Sequence, residues 1–138
     1  MASLYHLDTN ILIAAMKGRP EVRKRLEAQQ ISAIRLSAIV MGELGFGAEK
    51  SAYGDRNRAR LATLTQRLPL VGIDHDTIRH YAKIRAFLER HGTPIGANDT
   101  WIAAQALAIN AVLVTDNERE FSRGPGLVVE NWLTDTES

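Results

Sequence analysis

Cysteine is absent from the 138 residues, which excludes disulfide frameworks, thiolate zinc sites and thiol catalysis. No apolar run approaches the roughly 20 residues of a membrane span, so no membrane partner is expected. Residues 1–16 are apolar but carry no basic leader and include Asp8. That argues against a signal peptide and for a cytoplasmic protein. Internal repeats and low-complexity segments are also missing. What is present, 45% hydrophobic and 24% charged residues, is ordinary for a globular chain and implies one domain spanning 1–138.

Charge is scarcest where it is most informative. Asp8 is the only charged side chain in residues 1–16, Glu43 the only one in 36–48, and Asp99 the only one in 92–115. Asp116 follows an apolar run at the edge of a polar turn. An acid surrounded by Leu, Ile, Val and Ala becomes partly buried on folding, and a buried carboxylate is costly unless it is neutralised or bound to a cation.

The pattern alternates short apolar runs with longer helical stretches. Strands are expected at Leu4–Leu7, Ile34–Ser37, Pro69–Ile73, Ala111–Val114 and Leu127–Val129. Helices are expected over Thr9–Lys17, a basic stretch after Pro20, Ala38–Lys50, Asp55–Arg67, Asp74–Arg90 with Asp74 as N-cap, and Asn98–Asn110. The last is apolar on nearly every face and should be buried. Strands separated by helices imply an α/β fold with a central parallel sheet flanked by helices. In such sheets the functional crevice lies beyond the carboxyl ends of the strands. Asp8 and Asp116 follow two of those strands, Asp99 opens the buried helix, and Glu43 sits about two turns into its own. Small neighbours at Gly42, Gly45 and Gly47 are expected to let other backbone approach Glu43 closely.

Each acid has a simpler explanation by itself. Asp8 before Thr9-Asn10 reads as a helix cap, Asp99 as another, and Asp116-Asn117 as a turn; Glu43 has no local basic partner. Together they are harder to dismiss. Two carboxylates about 4 Å apart repel by roughly 4 kcal/mol at an effective dielectric near 20, so a converging set calls for a divalent cation. All-oxygen ligands point to Mg²⁺, with Mn²⁺ as the alternative.

The net charge of +1 conceals an asymmetry: residues 1–90 hold 15 Lys/Arg against 9 Asp/Glu, and residues 91–138 hold 2 against 7. Two basic clusters stand out, one with Arg19, Arg23 and Lys24, the other with Arg56 and Arg60. Each reads either as a solvated helix face or as a surface for a phosphate backbone.

Leu7-Asp8-Thr9-Asn10, Glu43 after Leu36-Ser37-Ala38, Asn98-Asp99 before Ile102-Ala103-Ala104, and Thr115-Asp116-Asn117 before Glu120-Phe121 together resemble the PIN-domain ribonucleases. Over nearly its whole length the chain looks like the VapC-type toxins of prokaryotic toxin-antitoxin pairs. The resemblance implies a three-layer α/β/α fold and a Mg²⁺-dependent endoribonuclease that inhibits translation, nearest to toxins that cut tRNA in the anticodon stem-loop. It also implies a cognate antitoxin, an RNA substrate, a homodimer, and DNA contact only through the antitoxin. Asp8, Glu43, Asp99 and Asp116 would be catalytic and bind metal, with Asn10 and Thr115 holding them. Many relatives carry the fourth acid where Asn117 stands, so Asp116 and Asn117 are alternatives for that position.

Other classes fit less well. A phosphoacceptor receiver or a haloacid-dehalogenase-like phosphatase needs a lysine near the last strands, and no lysine follows Lys83. A PIN-like RNA-binding or scaffold module without catalytic activity is the remaining alternative.

Overall fold

A computed structural model describes residues 3–134. Its elements run β1 (Leu4–Leu7), α1 (Thr9–Met16), α2 (Pro20–Glu27), a 3-10 turn (Ile31–Ala33), β2 (Ile34–Ser37), α3 (Ala38–Lys50), α4 (Gly54–Arg67), β3 (Leu70–Val71), α5 (His75–Arg90), α6 (Ala97–Ala108), β4 (Ala111–Val114), α7 (Glu118–Phe121) and β5 (Val129–Glu130). The five strands form one sheet in the order β3-β2-β1-β4-β5, and every pairing is parallel. Because β1 lies between β2 and β4, the chain leaves it in opposite directions. That reversal opens a crevice at the carboxyl ends of β1 and β4.

Side-chain alternation on the strands divides the core. Leu7 pairs with Leu36 across β1 and β2, and Leu7 meets Leu12, Met16, Leu64 and Leu68 around one cavity between the sheet and α1, α2 and α4. His6 and Ser37 point to the other face, where both reach Gln105 of α6. Helix α6 buries Thr100, Ile102, Ala103, Ala104, Gln105 and Ala106, as its lack of a polar face implies. It ends where Asn110 adopts a positive φ of 56°, a conformation Asn tolerates better than most residues.

Some boundaries move. The strand expected over 69–73 shrinks to two residues, because the carbonyls of Val71 and Gly72 accept from the Gln105 side chain rather than from a neighbouring strand. The last strand falls at Val129–Glu130 rather than 127–129, since Leu127 is still engaged in a turn to Gly124. The glycines near Glu43 do not serve close packing: a Cβ at Gly42, Gly45 or Gly47 would meet nothing within 4 Å. Close approach occurs instead at Gly54, where a Cβ would sit 2.6 Å from the Ala48 carbonyl at the α3–α4 junction. Among the described residues no helix is long and apolar enough to cross a membrane.

Candidate active site

Asp8 leaves β1 and caps α1. Its Oδ1 accepts the Thr9 N–H at 2.8 Å, so the simple capping role and a site role coincide in one side chain. Its other oxygen, Oδ2, accepts from the Thr115 hydroxyl at 2.7 Å. That bond forms because β4 pairs with β1 in register, Val114 beside Leu7, so the residues following each strand emerge side by side. Asp8 is 6% exposed. Burial raises its pKa most, and the charges of Glu43 and Asp116 raise it further, against the two hydrogen bonds.

Glu43 comes from α3, which Ser37 caps by accepting from the N–H groups of Ile39 and Val40. No cation holds the Glu43 carboxylate among the described residues. Thr9 Oγ1 donates to Oε2 and Asn98 Nδ2 to Oε1, each at 3.2 Å. Asp99 stands in the first turn of α6, whose N-cap is Gly96, so it does not cap the helix. Its pKa is pushed up to about 6, first by burial and then by the charges of Asp8, Glu120 and Glu43.

Asp116 and Asn117 diverge, as adjacent residues leaving a strand should. The exposed Asp116 carboxylate receives the Asn10 amide at 3.2 and 3.4 Å and lies near enough to Asp8 to raise its pKa. Asn117 turns away: its N–H donates to Thr115 Oγ1 at 3.0 Å and its amide to Glu120 Oε2 at 2.9 Å.

Three groups in this constellation escaped the sequence reading. Thr9 and Asn98 hold Glu43, and both are adjacent to an acid that was noticed. Glu120 reaches Asp99 through its charge. The short acidic run after Asp116 was a signal, but only the fold separates Glu120 from Glu118, which instead receives the Asn131 amide at 3.1 Å.

The five basic residues singled out differ in their surroundings. Arg19 is bound to Glu21 at 2.6 Å, Arg23 lies beside Gly18, Lys24 has an interaction partner of its own, and Arg56 sits over the Tyr53 ring at 6.0 Å. Of the five singled out, only Arg60 lines a cleft that also contains Thr9 and Glu43. This cleft, of about 370 Å³, has Ile13, Met16, Leu44 and Leu61 as its apolar walls.

The donor set suits a hard divalent cation: carboxylate oxygens with hydroxyl and amide supports, and no lysine or arginine paired to Asp8, Glu43 or Asp99 among the described residues. Among those residues no three His, Asp or Glu side chains are gathered tightly enough to form a ready-made cage. The fit therefore rests on donor chemistry and on raised carboxyl pKa values, which a bound cation would bring down.

The chain is similar over most of its length to known proteins. A family model described as PIN domain matches residues 5–127. "Ribonuclease VapC2" of Rickettsia felis is 38% identical over 131 residues, covering 94% of this chain and 98% of the relative. "tRNA(fMet)-specific endonuclease VapC" of Salmonella typhimurium is 40% identical over 129 residues, covering 93% and 97%. Among solved structures, DNA-bound VapBC from Salmonella typhimurium superimposes with a TM-score of 0.87 at 36% identity, covering 95% of this chain and 99% of that one. VapBC2 from Rickettsia felis, bound to a promoter DNA fragment, gives 0.85 at 37% identity, covering 94% and 98%.

Proposed function

The chain belongs to the PIN-domain family and, within it, to the VapC ribonucleases; on that premise we propose that it is the Mg²⁺-dependent toxin of a toxin-antitoxin pair and cleaves RNA at Asp8, Glu43 and Asp99. The observation that carries the reading is geometric: Thr9 bonds both Asp8 and Glu43, and Asn98, next to Asp99, bonds Glu43, so the three acids share one crevice, and no lysine or arginine is paired to them among the described residues.

Asp8 and Asp99 would be the principal metal ligands, with Glu43 as ligand or as the group that orients the attacking water. Asp116 takes the outer position. When bound, Mg²⁺ lowers the pKa of a water and stabilises charge on the scissile phosphate. Thr115 aims Asp8 and favours its ionised form against the effect of burial by donating to its Oδ2, while Thr9 and Asn98 fix both oxygens of Glu43. Holding ligands through such supports typically matters about 10- to 100-fold in metal affinity or activity.

Single-stranded or loop RNA fits a recessed site, because a flexible backbone can reach it. The Salmonella relative's name specifies tRNA(fMet), which makes a tRNA anticodon loop the first substrate to test and translation arrest the expected consequence. The solved VapBC neighbours are complexes of toxin with antitoxin, and a cognate antitoxin is the partner here. Its tail would lie along α4, where Met16 lines both the cleft beside Glu43 and a second cavity of about 300 Å³ lined by Leu64 and Leu68. DNA contact would then belong to the antitoxin. A homodimer is the expected free form.

RNA cleavage with and without Mg²⁺, for the parent and Asp99→Asn, tests the reading. Cleavage that needs the metal and is lost in the variant supports it; undiminished cleavage by the variant overturns it. Mapping RNA 5′ ends after brief induction in cells identifies the substrate. Failure to bind Mg²⁺ in calorimetry would return the chain to a non-catalytic RNA-binding role.

A further inference from the structure

One buried amide joins the strand that leads to Asp8, the residue that caps the helix of Glu43, and the helix that carries Asp99. Gln105 of α6 is fully buried, as are His6 of β1 and Ser37 at the end of β2. Gln105 Oε1 accepts from Ser37 Oγ at 2.6 Å and pairs with His6 Nε2 at 3.1 Å. Its Nε2 donates to the carbonyls of Val71 and Gly72, each at 3.0 Å. All four hydrogen-bonding positions of the amide are used, and its orientation follows, because a flipped amide would set Oε1 against two carbonyl oxygens.

The histidine tautomer follows as well. With Gln105 Oε1 as acceptor, His6 carries its proton on Nε2, and Nδ1 is left as a buried acceptor without a partner. Nothing in the proposed cleavage chemistry uses this ring. A buried polar cluster with one unsatisfied atom is costly compared with an apolar core, so its presence calls for a role.

Its place in the chain supplies one. Gln105 lies six residues after Asp99 on one helix, and Ser37 lies six residues before Glu43 and caps the helix that carries it. At 1.5 Å per residue each carboxylate stands about 9 Å along a helix from the clamp. His6 is two residues before Asp8 on β1. The amide therefore ties the helix of Asp99 to the cap of the helix that carries Glu43 and to the strand that runs into Asp8. A small rotation about that point is carried to the carboxylates, and a binding constellation has to be held within about 0.5 Å of its productive geometry.

We propose that Gln105 is a positioning residue that sets the mutual placement of Asp8, Glu43 and Asp99, so that cation affinity depends on its amide. This rests on the reading of those acids as the cation site. Gln105→Met keeps the volume and removes every bond. The test measures Mn²⁺ binding to the metal-free protein from the electron paramagnetic resonance of free ion, alongside thermal melting in chelator and the KM and kcat for RNA.

The variant is expected to bind Mn²⁺ about 10- to 100-fold more weakly, with kcat recovering at saturating metal and KM for RNA unchanged. A lower melting temperature with parental Mn²⁺ affinity would overturn the proposal, leaving Gln105 a purely structural residue. If Gln105→Met does not fold, His6→Leu, which removes a single bond, should weaken Mn²⁺ in the same direction, and unchanged affinity there overturns the proposal equally. A parent protein that binds no Mn²⁺ would instead overturn the reading of the acids themselves.

Discussion

The Thr115 hydroxyl donates a 2.7 Å hydrogen bond to Asp8 Oδ2, linking the ends of β4 and β1 across 107 positions of sequence. Both groups are buried, and the bond lowers the Asp8 pKa against the effect of burial. Thr115→Val should raise the Mg²⁺ needed for half-maximal cleavage by roughly 10- to 100-fold. Thr115→Ser should stay near the parent. Metal titrations of the cleavage rate check both, and equal behaviour of the two variants would remove Thr115 from the site.

Asp99→Asn is expected to lower cleavage by about 100-fold or more, because it removes a principal ligand of the cation whose charge stabilisation is worth several kcal/mol. In chelator at pH 7 the same variant should melt a few degrees higher than the parent. The substitution removes a charge that burial, Asp8, Glu120 and Glu43 all oppose, the usual conflict between site chemistry and stability. Thermal melts read the second effect independently of the first.

The pH dependence of that difference has a definite sign. Folding raises the Asp99 pKa from 3.8 to about 6. The folded chain therefore holds this proton more firmly than the unfolded one. The resulting stabilisation is fully present below 3.8 and is lost as pH rises through about 6. His6 acts oppositely: burial lowers its pKa from 6.5 to about 4, so its contribution is lost as pH falls through that window. Subtracting the melts of Asp99→Asn from those of the parent cancels the His6 part. The gap between the two proteins should close near pH 4 and widen toward pH 7. At subsaturating Mg²⁺ the parent's cleavage should rise with pH through about 6, and more metal should shift that midpoint downward, since the ligand must lose its proton to bind.

Asp116→Asn should raise the Mg²⁺ requirement several-fold, because its carboxylate lies on the Asp8 side of the turn, held by Asn10. Asn117→Ala should leave the metal titration nearly unchanged and cost about 1 kcal/mol of stability, the worth of an ordinary hydrogen bond, here the one to Glu120. The opposite ranking in metal titrations would assign the outer position to Asn117.

Arg60 lines the cleft that contains Glu43, whereas Arg19 is paired with Glu21. Arg60→Ala should weaken RNA binding and reduce the slope of log affinity against log salt by about 0.7, the value for one phosphate contact to a single strand. Arg19→Ala should leave the slope unchanged. Binding of a non-cleaved RNA to Asp99→Asn protein at several salt concentrations checks both.

Much of the fold was legible because it is locally encoded. Asp74 caps α5 as its position before an amphipathic run implies, and strands 4–7, 34–37 and 111–114 fall where their apolar runs stand. The edge strand and the last strand were less legible, since their lengths depend on which distant groups take up their backbone bonds. The glycines around Glu43 misled for a related reason: small size permits close packing but does not say that a neighbour is there.

The isolation of Asp8, Glu43 and Asp99 among apolar residues is a property of the sequence, and it suffices to mark them as acids that folding would bury at least in part without a basic residue nearby in sequence. Which groups serve them instead was decided by tertiary structure. Parallel pairing of β1 with β4 brings Thr115 to Asp8, packing of α6 against α3 brings Asn98 to Glu43, and the turn after Asp116 sends Asn117 toward Glu120. Hydrogen bonds act over about 3 Å. Partners separated by 55 or 107 positions therefore meet only when the sheet has chosen its strand order, and no local pattern carries that choice.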